Sequence, residues 1–216
     1  MNAALSGRSV VVTGASSGIG FEIARRIRDE GARVYAADFC PAAVPEGTSP
    51  LHMDTSIPGS VFGALARVVR ETGRLDVLCN TVETPPIADP LRRSFEDWER
   101  SLADTVNSVF LGTRFAIPTM LAQQSGVIVN VVCGDPDAGH LERGAYYAGM
   151  AEVVEFTRTV GARFAGAGIS SHAIRPGTLG SPGTSAIATA AVCLASGVQD
   201  PAVMAELVVD GAFLAA

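Results

Sequence analysis

Eight residues near the N-terminus have the composition of a phosphate cradle. Thr13-Gly14-Ala15-Ser16-Ser17-Gly18-Ile19-Gly20 lie between a β-branched run, Ser9–Thr13, and a helical pattern. Glycines permit a tight turn and a close backbone approach to a pyrophosphate. The helix that follows offers free N–H groups and a positive dipole end. Asp38 stands 18 residues after Gly20, at the end of the next apolar run. A carboxylate there accepts hydrogen bonds from ribose hydroxyls and repels a 2′-phosphate, which favours NAD over NADP. The plainer reading of Asp38 is a solvated acid at a strand end. Cys133 and His140 are seven residues apart, and a Cys–His pair is a possible nucleophile; a strand-end cysteine is more often a small buried hydrophobe. Asp135, Asp137 and Glu142 share that loop and read as solvated charges, so no metal site is expected. His52 and His172 are lone and read as structural.

The elements that must position these groups alternate regularly. Strands are expected at residues 9–13, 33–38, 51–54, 75–80, 127–132, 169–174 and 206–209. Helices are expected at 21–30, 61–71, 95–123, 145–164 and 186–195, with Gly31 and Gly73 ending the first two. In the first helix Ile23, Ala24 and Ile27 share a face. Strands alternating with helices imply one α/β domain spanning 1–216, a doubly wound, mostly parallel sheet of about seven strands with helices on both faces.

Composition narrows the classes. Of 216 residues, 18% are charged and 48% hydrophobic, which excludes a disordered chain. The net charge of −6 and the scattered arginines Arg25, Arg26 and Arg28 give no basic stripe, so no nucleic-acid partner is expected. Apolar runs fall well short of the ~20 residues of a membrane span, and residues 1–7 do not read as a signal peptide. Cys40, Cys79, Cys133 and Cys193 lack disulfide or metal spacing, which fits a reducing cytoplasm. Mean hydropathy of +0.30 suggests that some outer faces are covered by another subunit.

On these residues the chain resembles the short-chain dehydrogenase/reductase family over nearly its whole length. Thr13 to Gly20 matches the family's T-G-x-x-x-G-x-G turn. Asp54 resembles its adenine-contacting acid, and Asn80-Thr81-Val82-Glu83 its N-N-A-G strand end. Phe95-Glu96-Asp97-Trp98 is similar to the run before its interface helix. Pro176-Gly177 and Asp210-Gly211 match its later turns. The resemblance implies a Rossmann-like fold that binds a dinucleotide through Gly14, Ser16, Ser17, Gly18, Ile19, Gly20, Asp38, Asp54, Asn80, Pro176 and Gly177.

The departures bear on chemistry. The family works with an Asn, a Ser, a Tyr and a Lys. Tyr146 matches the Tyr, the general acid/base. The Lys position is Met150 and the Ser position is Cys133. A gap-free alignment from Trp98 to Phe110 puts Thr105, not Asn107, at the Asn position; Asn107 lies about 200° further round a helix and should face away. An ammonium favours a phenolate and binds the nicotinamide ribose; Met150 does neither. Thiol is a weaker donor than hydroxyl. Glu83 stands where a glycine should pass close to the cofactor. From Gly177 to Asp210 there are only 33 positions (210 less 177), a shorter span than the family's substrate lid usually occupies.

The expectation is therefore a family member that has lost ordinary ketone/alcohol redox catalysis and acts as a non-catalytic or regulatory subunit beside an active family partner, or in a homo-oligomer. An alternative is an NAD-dependent oxidoreductase acting on a small-molecule substrate, with Tyr146 in an atypical proton relay. A second alternative is a non-redox cyclase, dehydratase or isomerase that uses Tyr146 or Cys133 in the same cleft.

Overall fold

The computed structural model describes residues 4–81, 94–132, 144–176, 183–197 and 206–209. Its strands are β1 (Ser9–Thr13), β2 (Arg33–Asp38), β3 (Ser49–His52), β4 (Val77–Thr81), β5 (Gly126–Val131), β6 (Ile169–Pro176) and β7 (Glu206–Val209). Its α-helices are α1 (Gly18–Asp29), α2 (Pro58–Thr72), α3 (Phe95–Leu102), α4 (Ser108–Gln123), α5 (Gly144–Phe164) and α6 (Thr184–Ala195). The strands form one sheet in the order β3-β2-β1-β4-β5-β6-β7, and the pairs are parallel throughout.

Period-two alternation sorts each strand between two cores. Val10 and Val12 of β1 pack with Ile23, Ala24 and Ile27 of α1 and the small residues of α6. Val11 points the other way, toward α2, α4 and α5, with Leu78 and Ile128 beside it. A parallel sheet covered on both faces needs such continuous apolar strands. Each fully buried valine or leucine contributes about 1.5–3 kcal/mol. Helices start and stop where local chemistry dictates. Ser94 and Asp97 cap α3 reciprocally. Gly73 ends α2 in the left-handed region, at φ 74°.

The structure departs from the sequence reading at one element that matters later. The helix expected over 95–123 is interrupted by a π-turn at Ala103–Asn107. Its widened turn displaces backbone carbonyls from their usual donors. Thr105 Oγ1 donates to the carbonyls of Ser101 (2.9 Å) and Leu102 (3.1 Å), and Ser108 Oγ does the same for Asp104 and Thr105. Two β-hydroxyls three residues apart thus stabilise the irregular turn.

Candidate functional site

The chain leaves β1 with β2 on one side and β4 on the other, so successive crossovers run in opposite directions and a crevice opens at the strands' C-terminal ends. Thr13 fixes that end. Its Oγ1 accepts from the Thr81 N–H at 2.9 Å, and Thr81 Oγ1 donates back to the Thr13 carbonyl. Gly20 lies where the turn crosses itself: a Cβ there would stand 2.2 Å from the Gly14 carbonyl oxygen, inside van der Waals contact. Gly18 adopts φ +54°, and a Cβ there would meet nothing within 4 Å. Its face is open, as a close-lying phosphate requires. The first turn of α1 carries no acidic side chain to repel an anion.

Asp38 follows on β2. Its carboxylate accepts from the Ser16 N–H at 3.1 Å and the Cys40 N–H at 3.1 Å, and Ser16 Oγ donates to the Cys40 carbonyl at 3.0 Å. These bonds fix the acid at the rim of the turn. Each oxygen keeps acceptor capacity for a ribose hydroxyl. Phe39 next to it is 69% exposed, and its ring lies 5.7 Å from that of His52. His52 in turn bonds the Phe39 carbonyl through Nδ1, in keeping with a structural histidine. Asp54 is held by the Ser56 hydroxyl and N–H, which keep its carboxyl below the ordinary range. The rim of the turn thus carries an open helix start and two acids, Asp38 and Asp54, each held in place by N–H groups.

The other end of the crevice is different in kind. Tyr146 is fully buried and packs with Val109, Val132, Met150 and Val153. Its ring lies 5.9 Å from that of Tyr147. Met150 contributes hydrocarbon and sulfur to this cluster and no charge. Thr105 sits against α5: a Cβ on Gly149 would come within 2.3 Å of Thr105 Oγ1. Thr105 is buried, and its hydroxyl proton is shared between the two carbonyls of the π-turn. Asn107 is exposed.

Asn80 is placed otherwise than a cofactor-binding role suggests. Its Nδ2 donates to Asn130 Oδ1 at 2.8 Å, Asn130 Nδ2 donates to Thr157 Oγ1 at 2.8 Å, and Thr157 donates to the Val153 carbonyl at 2.6 Å. The side chain of Asn80 therefore belongs to a buried polar chain through β4, β5 and α5, and only its position at the strand's end faces the crevice. Asn130 and Thr157 were missed from sequence. The signal was present: an asparagine within the apolar run of β5 must find partners once buried. Cys79 is a core residue whose thiol burial pushes up to about 12, far from reactivity. Cys133, His140, Glu83, Asp135, Asp137, Glu142, Gly177 and Asp210 lie outside the described residues, as does the side chain of Pro176. Among the described residues no three His, Cys, Asp or Glu gather as a metal site, and no helix is long and apolar enough to cross a membrane.

This turn, this sheet order and this crevice define a Rossmann-like α/β protein. A family model described as short chain dehydrogenase matches residues 8–191, and the chain belongs to that family. It is 32% identical over 200 residues to the 2-(R)-hydroxypropyl-CoM dehydrogenase of Xanthobacter autotrophicus, covering 82% of this chain and 76% of that one. It is 30% identical over 190 residues to a 3-oxoacyl-(acyl-carrier-protein) reductase of Thermotoga maritima, covering 83% and 77%. A solved structure from Burkholderia xenovorans, described as a short-chain dehydrogenase/reductase, superposes with a TM-score of 0.85 at 26% identity, covering 99% of this chain and 98% of that one. The relatives named here are oxidoreductases.

Proposed function

We propose that this chain is an NAD-dependent oxidoreductase of a small carbonyl or alcohol substrate, with Tyr146 as its proton-transfer residue in an altered relay. The observation that carries this reading is the adenosine end of the crevice. Gly20 admits no side chain, Gly18 leaves an open face, and Asp38 is held in place by Ser16 and Cys40. Packing alone requires Gly20, but a fold that kept only its architecture needs neither the open face at Gly18 nor an acid held at the rim by Ser16 and Cys40. NAD, when bound, supplies hydride transfer. The chain's own part is to bind and to manage a proton. The N–H groups of the first turn of α1 would hold the pyrophosphate, and Asp38 the ribose hydroxyls. Tyr146 would hold the proton at the substrate oxygen. Met150 supplies no cation to help it ionise, so the phenol enters as an acid and reduction is the favoured direction. Met150 also donates nothing to the nicotinamide ribose. Binding thus rests on the adenosine half, and turnover is slow.

One observation favours a second reading, a non-catalytic subunit in a homo-oligomer or beside an active family member. Tyr146 is buried in an apolar cluster, and the outer face of α2 and α4 exposes Phe62 and Phe110, each packed edge-on or tilted against a neighbouring ring. Free thiols at Cys40, Cys79 and Cys193 support a cytoplasmic location in either case.

Calorimetric titration with NAD⁺ and NADH, on the wild type and Asp38→Ala, tests the reading. Micromolar binding is expected, weakened about tenfold or more in the variant. NADH-dependent reduction across a carbonyl panel should then disappear in Tyr146→Phe. Absence of binding at millimolar cofactor overturns the proposal. Binding without turnover, together with capture of an active family member in an oligomer, establishes the second reading.

A further inference from the structure

A cavity of about 250 Å³ lies between α5 and the β6–β7 edge of the sheet. Its two sides differ. Val132, Tyr147, Met150 and Val154 make an apolar wall. Arg158, Arg175 and Glu206 make a charged end. One carboxylate serves both guanidiniums there: Glu206 accepts from Arg175 Nε at 2.7 Å and from a terminal nitrogen of Arg158 at 2.9 Å. Glu155, also at the cavity, lies 3.5 Å from Arg158 with its side chain 71% exposed, so water screens it.

The structural role of this triad is to tie α5 to the sheet edge. That role accounts for one nitrogen of Arg175. Both terminal nitrogens of Arg175 have no hydrogen-bond partner among the described residues, although its side chain is only 28% exposed. A guanidinium carries five donors in a planar fork that matches a carboxylate. Donors left over at one end of an apolar groove are how a binding site reads a charged head on a hydrocarbon body. Glu206 and Glu155 balance the two guanidiniums in charge. Glu206 already accepts from both and Glu155 lies in water, so the free groups facing a ligand are the donors of Arg175. The volume holds roughly eight non-hydrogen atoms, at the ~30 Å³ that each water occupies in the liquid.

We propose that this cavity binds a small amphipathic carboxylate, its acid group on Arg175 and Arg158 and its hydrocarbon against Val132, Met150 and Val154. The site adjoins the Tyr146 cluster through Met150 and Tyr147, yet it needs no dinucleotide. Its test is therefore separate from the test of redox activity.

Hexanoate, which has eight non-hydrogen atoms, is the probe, titrated calorimetrically into the full chain without cofactor. Saturable binding with a Kd below about 1 mM is expected. Arg175→Gln should weaken it about tenfold or more. Ala151→Leu, which fills the cavity from a partly open position on α5, should weaken it as much without touching a charge; it keeps the test sound if Arg175→Gln fails to fold. Glu206→Gln removes the competing carboxylate and should tighten binding about threefold, whereas a purely structural triad predicts no gain. Hexanol should bind about tenfold more weakly than hexanoate. Equal affinity for hexanol, no saturation by hexanoate at millimolar concentration, or unchanged affinity in Ala151→Leu overturns the proposal.

Discussion

The two ends of the crevice were built under different constraints. At the adenosine end, backbone geometry does the work: Gly14, Gly18 and Gly20 shape a turn that Thr13 and Thr81 clasp, and Asp38 is fixed by two N–H groups. At the Tyr146 end, side chains must supply charge and hydrogen bonds, and here they are methionine, valine and a hydroxyl committed to a π-turn. A backbone site cannot drift without damaging the fold, because Gly20 is also a packing residue. A side-chain site can lose its chemistry while its packing improves. Under the proposed function, the contrast explains how one cleft would keep its nucleotide end while its proton relay is altered.

The largest test of this contrast is Gly20→Val. The added atoms collide with the Gly14 carbonyl, so the variant should lose about 3 kcal/mol or more in urea denaturation, along with any nucleotide binding. Loss of binding at full stability would separate packing from ligand and break the comparison. Asn130→Ala comes next. It leaves the Asn80 amide without its acceptor in the core, removes the donor to Thr157, and should cost about 2 kcal/mol in the same assay. Met150→Lys sharpens the other half. It places an ammonium beside Tyr146, at about 1–2 kcal/mol of stability for a charge among valines. NADH-dependent turnover should rise about tenfold or more in return. Stability lost with no gain in rate would mean that Met150 is not what separates the two ends. The smallest effect lies on α1. Bonds from Arg25 and Arg26 hold the Glu22 carboxyl down to about 2, and Arg26 also donates to Ser185 and Thr189 of α6. A depressed carboxyl stabilises fully above its ordinary range and loses that effect as pH falls toward about 2. Acid melts should show about 1 kcal/mol lost across that window in the wild type, and less in Glu22→Gln.

Much of this was legible from residue order. The seven strands came from short, largely apolar runs alternating with helical patterns, because a parallel sheet buried on both faces favours apolar strands. The phosphate turn came from glycines at a strand–helix junction. Thr105 was assigned to the family's Asn position by a gap-free alignment, and the structure sets it against Gly149 of α5. Other features were hidden for a physical reason. The break at Ala103–Asn107 is invisible to hydrophobic periodicity, since a π-turn adds a single residue to an otherwise continuous apolar face. The Asn80–Asn130–Thr157 chain joins residues 50 and 27 positions apart, and only strand register and the packing of α5 on the sheet bring them together. Arg158, Arg175 and Glu206 read individually as surface charges until β7 docks at the sheet edge.

The place of β4 in the sheet has a consequence in time. Val10 pairs with Val77, so one whole side of β1 waits for a strand made 67 residues later. At about 5–20 residues per second, synthesis leaves that edge open for roughly 3–13 s. The open edge is Ser9-Val10-Val11-Val12-Thr13, a short, uncharged, β-branched segment of the kind that pairs with its own copies. The nascent β1–β2–β3 unit is thus the aggregation-prone species of this chain, and slowing translation between residues 38 and 77 should lower its soluble yield.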